Sequence, residues 1–482
     1  MKVLALLALS FLIPTLAAAG EAPARATAAV QEVALAVTPN DEEYNELRQS
    51  VARLADGSYA SVWIEHEGSL RARMQWVRPD GSPLFAGGGR AITNIGADES
   101  NAVVVSNPAG GAFVALASKT EDGAQILVQS FDADGNPSWR GDGVFAAAPG
   151  IGDLQIEPQL IPAPQGGVFL CFQSFHSIGV AGSDNEGADI VCQHLGADGQ
   201  RLWAASGVRA GGRRGYRELP KVVRDNGSGL LVFWRNGGPS RPDPKAHCLI
   251  EGQHLGANGT PRWGAQGRIV RSMILPANVG YLYTALGAAS DGQGGAVVSF
   301  EDGPTNLRSD VFAQRVTGDG RLLWHTGTPV ATGAVYQGHD SITAAPDGGA
   351  FIAVRTGARL LLHRLGPDGK VLWKQQLSST DSDANPVDWG SYGSFDDGRL
   401  RIAWIHQRQS GTWTMDAYLA ILDLAGNRLN GPAATPLTTA ADGQFLRGFA
   451  FDPERNQGFA VWEDRRKGTW DDLDLYGGLY RE

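Results

Sequence analysis

An all-β fold, an eight-bladed β-propeller of four-stranded blades closed by a strand from the N-terminus, is predicted by three observations on this 482-residue chain. A turn-and-tryptophan motif recurs along its whole length, eight short apolar strands keep step with it, and the two chain ends hold complementary pieces of one repeat.

The motif is read in DADGNPSW, GADGQRLW, GANGTPRW, TGDGRLLW and GPDGKVLW. Aligned on the turn glycine, the units fall at Gly81, Gly135, Gly199, Gly259, Gly320, Gly369 and Gly426, spaced by 49 to 64 residues. Four residues after it stand Phe85, Trp139, Trp203, Trp263, Trp324, Trp373 and Asn430. Six before it stand Gln75, Gln129, Gln193, Gln253, Gln314, His363 and Ala420. Five tryptophans in register, from a chain with 13, define a structural unit. A tryptophan so placed packs on the neighbouring blade, and its glutamine hydrogen-bonds backbone within or between blades. The functional alternative, an aromatic stack on a ligand, does not call for equal register in successive units.

Each unit also carries an apolar strand: SYASVW (58–63), GAFVAL (111–116), GVFLCF (167–172), GLLVFW (229–234), GAVVSF (295–300), GAFIAV (349–354), RLRIAW (399–404) and GFAVW (458–462). These runs are short, bounded by Asp/Gly turns and rich in β-branched and aromatic residues, which favours strands; being nearly continuously apolar, they are expected to be buried on both faces. A strand precedes each, as in PQLIPA (158–163), and another follows, as in DVFAQRV (310–316), before the turn and the tryptophan strand. Four strands per unit give a propeller blade. The last unit stops inside its third strand (472–480), whereas VALAVTP (33–39) stands alone before the first, so this N-terminal strand is expected to complete the eighth blade and remove an exposed edge.

The segments LGPDGKVLWK and VTGDGRLLWH resemble the tryptophan-docking repeats of quinoprotein-like propellers, which include pyrroloquinoline quinone dehydrogenases and related outer-membrane assembly lipoproteins. The resemblance implies the fold. It carries over neither activity, because this chain has no adjacent cysteine pair, no haem CxxCH and no lipobox, and its repeats are longer.

The N-terminus reads as a secretory signal over residues 1–19: Lys2 supplies the positive region, Val3 to Leu16 the apolar one, and Ala17-Ala18-Ala19 the small-residue cleavage site. Residues 20–482 are then one propeller domain of an exported, periplasmic or extracellular protein of bacterial type. A formal net charge of -10 argues against nucleic acid as partner, since phosphate neutralisation needs concentrated Lys and Arg, and no later segment is apolar enough to span a bilayer. Of the three cysteines, Cys171 and Cys192 lie on strands of one hairpin and are the pair to bond if any does; buried free thiols remain the alternative, with Cys248 left over.

Catalytic signatures are absent or incomplete. His66-Glu67 lacks the second histidine of HExxH, no GxSxG elbow occurs, and GPDGKV is not a P-loop. The DG turns place their aromatic one residue too late for a sialidase Asp-box, and DADG (132–135) lacks the downstream acid of a calcium loop. No cofactor is predicted, although a divalent cation such as calcium would suit an acidic ring.

Such a ring is suggested by Glu46, Glu99, Glu157, Glu218, Tyr283, His339, Asp388 and Arg447, which stand ten to twelve residues before successive apolar-strand markers, with Tyr44, Tyr216, Tyr336 and Trp389 nearby. If the strands are assigned correctly, these converge on the top face where the channel opens, an acidic and aromatic mouth for a cation, a cationic peptide or a carbohydrate. The same positions serve equally well as polar caps in a solvated funnel. The long loops 173–188 and 235–247 and the charged 462–472 share that rim. Glu301, Asp302, Glu463 and Asp464 recur at corresponding strand ends and read as a turn. The reading is a monomeric, non-enzymatic binding or scaffolding propeller whose top face takes a protein or carbohydrate ligand. The alternative is an extracellular enzyme of glycoside hydrolase or polysaccharide lyase type, with acid and base among Glu46, Glu99, Glu157, Glu218, His339 and Asp388.

Overall fold

The computed structural model describes residues 30–36, 49–66, 69–86, 88–96, 98–121, 123–148, 154–176, 187–213, 215–237, 247–274, 285–305, 308–357, 359–379, 390–407, 415–438, 440–466 and 474–482. The segment 1–19 lies outside them, as do Tyr44, Glu46, Tyr283, Asp388 and Trp389.

The alternating apolar strands do what two-sided burial demands. In Ala112–Thr120, Ala112, Val114 and Leu116 point into a core shared with the preceding unit, while Phe113, Ala115 and Ala117 point into one shared with the next. Side chains on a strand alternate faces, so a strand sandwiched between two sheets must be apolar at every position. The described residues contain eight such buried clusters, each shared by two consecutive units, and the last joins Phe459 and Val461 to Tyr59 and Trp63 at the start of the chain. The core of this protein is therefore a set of layers between sheets.

The sheets are antiparallel and four-stranded in sequence order, except that the second and third units are joined into one eight-stranded sheet through a parallel bridge between Leu154 and Ala124. The innermost strands of consecutive units touch, and Gln444–Asp452 of the last touches Ser50–Arg53 of the first, closing the ring. The molecule is a β-propeller, with no helix among the described residues.

Closure runs through Val30–Ala36, which pairs antiparallel with Asp474–Arg481 as outermost strand of the last unit. It begins three residues earlier than expected, and 37–39 lie outside the described residues. Leu35 is fully buried there.

The tryptophans explain their own turns. Each indole N–H donates to the carbonyl two residues before the turn glycine of the following unit: Trp139 to Ala197 at 2.8 Å, Trp203 to Ala257 at 2.8 Å, Trp263 to Gly318 at 3.0 Å, Trp324 to Pro367 at 3.1 Å and Trp373 to Leu424 at 2.9 Å. The ring lies flat over that glycine: a Cβ on Gly369 would stand 2.7 Å from Trp324. Glycine is thus required twice, for its positive φ of 82° and for the close approach of the ring. Gln314 acts as a plug within its own unit, its Oε1 accepting the N–H groups of Arg315 (3.0 Å) and Trp324 (2.8 Å) and its Nε2 donating to the His325 carbonyl (3.0 Å); Gln75, Gln129, Gln193 and Gln253 repeat this.

Two units depart in ways that keep the geometry. In the seventh, Ala420 replaces the glutamine, but Asn430, at the tryptophan position, reaches back to accept the Ile421 N–H at 3.1 Å and donate to the Leu419 carbonyl at 3.2 Å. At the closure, no tryptophan covers Gly81; Gln31 of the N-terminal strand lies against it, and the Pro79 carbonyl takes the amide of Gln457 at 2.9 Å and the guanidinium of Arg481 at 3.0 Å.

Cys171 and Cys192 face each other across their strands and are joined in a disulfide; Cys248 is buried outside it.

Candidate functional site

The inner strands begin, and the second strands end, at one edge of the ring. There the inner strands are irregular. Register shifts occur between Ser100 and Val103, Ile156 and Gln159, Glu218 and Lys221, His339 and Ser341, and Leu446 and Gly448. In the second to fourth units the extra residue is left-handed: Asn101 (φ 53°), Glu157 (φ 57°) and Leu219 (φ 54°). A bulge breaks the in-out alternation and re-aims the side chains that follow.

This divides the predicted ring. Glu99 is 1% exposed and latches one unit to the one before: Oε2 accepts the Ala72 N–H at 2.7 Å, Oε1 accepts the Thr93 hydroxyl, and burial raises its pKa. Gln155 and Arg217 hold the same register position, reaching the Ile126 N–H and the Asp189 carboxylate. Glu157 sits on the bulge, its N–H donating to Asn101 Oδ1 at 3.4 Å. Glu218 is bound by Arg235, whose Nε lies 2.8 Å from Oε1. Arg447 pairs with Glu463, whose other oxygen accepts the Gln49 amide at 3.0 Å. The described carboxylates are thus not an open acidic ring, and no group of three or more His, Cys, Asp or Glu arranged to hold a metal ion occurs among the described residues.

His339 does enter a cluster, which also holds Tyr336, expected near the ring, and Glu301, expected in a turn. Its backbone N–H donates to Glu301 Oε1 at 2.8 Å across the junction of the fifth and sixth units, and its Nε2 lies 2.7 Å from the Ser299 hydroxyl. The ring rests on Gly287, where a Cβ would come within 2.8 Å. Burial, with Lys221 and Arg355 adding to it, pushes the imidazole down to about 3, so it is neutral at pH 7. Glu301 is 2% exposed; burial pushes it up to about 7, against the opposing pull of the His339 N–H, Arg355 and the Tyr336 hydroxyl, which donates to Oε2 at 3.3 Å.

Asp340 follows, raised by burial and relieved in part by Ser391 and Arg355; its Oδ1 accepts the Gly390 N–H at 3.4 Å. Ser341 and Ser391 exchange a hydroxyl hydrogen bond at 2.5 Å. Tyr392 stands beyond, pushed up to about 12 by burial while Arg447 lowers it and Asp340 and Glu463 raise it, so that one electrostatically coupled band runs from Glu301 to Glu463. The recurrence of Glu-Asp at 301–302 and 463–464 was the sequence signal for its two ends.

Fold and geometry together define a β-propeller in which Arg235–Glu218 and Arg447–Glu463 are ion-paired beside the bulged inner strands. No family model matches the chain, and no curated protein matches it. Among solved structures it is similar to puromycin hydrolase, crystallised as an S511A mutant with PGG (14% identity, TM-score 0.45, 86% of this chain and 58% of that one). It is also similar to prolyl oligopeptidase B from Galerina marginata (11%, TM-score 0.44, 91% and 56%) and to the α-L-arabinofuranosidase Arb93A of Fusarium graminearum (12%, TM-score 0.40, 95% and 98%). The chain spans little more than half the length of the first two. No activity is transferred from them.

Proposed function

We propose that this chain is a non-enzymatic binding or scaffolding propeller that recognises a ligand or protein partner through its channel mouth. One observation carries the reading: two carboxylates of the mouth are held in opposite-charge pairs, Glu218 by Arg235 and Glu463 by Arg447. Such pairs present fixed donors and acceptors with little net charge, which suits recognition better than proton transfer. Export through the segment 1–19 belongs to the same proposal, and N-terminal sequencing of the exported protein should begin at Gly20. The docking of each tryptophan on the next turn supports kinship with quinoprotein-like repeats as architecture.

A second reading, an extracellular enzyme acting on polysaccharide, is favoured by Glu301. A carboxyl near 7 can give or take a proton at neutral pH. The test is incubation of the mature chain with polysaccharides, peptides and divalent cations including calcium, following melting temperature and products by mass spectrometry. A shift without turnover supports binding; turnover abolished by Glu301→Gln establishes the enzyme.

A further inference from the structure

We propose that Asp340 and Arg355, on the wall of the sixth unit, form a subsite for adjacent hydroxyl groups of a neutral carbohydrate; this rests on the reading of the channel mouth as the ligand-binding face. Three observations converge on it. Asp340 is the extra residue of the bulge between His339 and Ser341, the place in its strand where a side chain is re-aimed. Its Oδ2 is buried and has no hydrogen-bond partner, although the carboxylate is engaged at Oδ1 by Gly390 and is relieved in part by Ser391. Arg355, which pairs with Gly338 one strand over, has a buried Nε with no partner, as Arg447 does, but among the described residues its guanidinium is not held in an ion pair by a carboxylate as those of Arg235 and Arg447 are.

A buried polar atom left unpaired costs stability, and such orphans are rare enough in folded proteins to call for a reason. Of the partnerless buried atoms among the described residues, the acceptor at Asp340 and the donor at Arg355 belong to oppositely charged groups that act on each other electrostatically. A hydroxyl is both donor and acceptor, so two neighbouring hydroxyls satisfy the pair. The charge around them favours a neutral ligand: Asp340, Glu301 and Glu463 are set against Arg355, Arg447 and, from the fourth unit, Lys221. That balance gives neither a metal ion nor a phosphate an advantage. Tyr336, which feels the charge of Arg355, and Tyr392, which feels that of Asp340, are each partly exposed and supply the aromatic character that suits the apolar side of a sugar.

The test is titration calorimetry and thermal shift on the mature chain with cellohexaose, maltohexaose and xylohexaose, and with glycine and calcium chloride as rival probes. At least one hexasaccharide should raise the melting temperature, and Asp340→Asn and Arg355→Gln should each weaken its binding roughly tenfold or more. Circular dichroism checks that both variants fold, and Asp340→Asn should melt no lower than the wild type without ligand, because it removes a carboxylate whose charged form burial disfavours. Equal saccharide binding by wild type and Asp340→Asn overturns the subsite. A response to glycine or calcium in place of saccharide overturns the ligand class, and no response to any saccharide overturns the inference. Binding of a peptide or cation that Arg447→Ala abolishes, while both subsite variants retain it, would leave the channel-mouth reading standing without this subsite.

Discussion

The carboxylate of Glu301 accepts the backbone N–H of His339 at 2.8 Å, so a side chain from one unit's second strand, Ala296–Thr305, ties down the inner strand of the next, Gln337–Ala344. At the opposite end of the band, Glu463 does the corresponding work across the closure by accepting from Gln49. These two contacts hold the rim of the propeller across sheet boundaries, where no backbone ladder is available, and they set up the first prediction.

Glu301 has a raised pKa, about 7 against an ordinary 4.5. The folded state therefore holds this proton where the unfolded chain has released it. Its contribution to stability falls as pH rises from about 4.5 to about 7, with the cost fully present above that window. Glu301→Gln, which can still accept the His339 N–H, should remove that fall. Melting temperature against pH should show the wild type losing stability relative to the variant, on the order of 3 kcal/mol across the window. Parallel curves would mean that Glu301 ionises normally.

The docked tryptophans should rank by burial. Trp324, 4% exposed, should cost about 3 to 5 kcal/mol on truncation to alanine. Trp373, which makes the same hydrogen bond but is only half-buried, should cost less. Urea unfolding of the two variants checks the order.

Turn glycines under an indole should be far less replaceable than those in the open. Gly369→Ala meets both a φ of 82° and the Trp324 ring, and should cost more than about 2 kcal/mol. Gly141→Ala has a φ of 62° with nothing within 4 Å of the new methyl and should cost about 1 kcal/mol. Equal losses would show that the backbone term alone decides.

Closure is testable at Leu35, fully buried between the last unit and the first. Leu35→Ala should cost about 2 to 5 kcal/mol, and deletion of residues 20–40 should lower the melting temperature of the whole propeller. An unchanged melting temperature after deletion would show that the ring holds without this strand.

The sequence by itself determined the repeat, the strands and the joining of the chain ends, because each of these is written locally. Continuous apolar runs such as GAFVAL report burial on both faces, and Gly369 with Trp373 reports a turn and a docking side chain within five residues. The compensation of Ala420 by Asn430 was visible only as a break in the pattern, since the two meet across a hairpin. The membership of the mouth was decided by tertiary structure. Counting back ten to twelve residues from each strand assumes regular alternation, and a shift of one residue reverses a side chain's face. The bulges add residues at this very stretch, so Glu99 becomes a latch between units while Asp340, not singled out by the count, is the extra residue of its strand and reaches Gly390 of the next unit. Glu301 looked like a turn residue because its partner, His339, lies 38 positions away on another sheet, and only the closing of the ring brings them together.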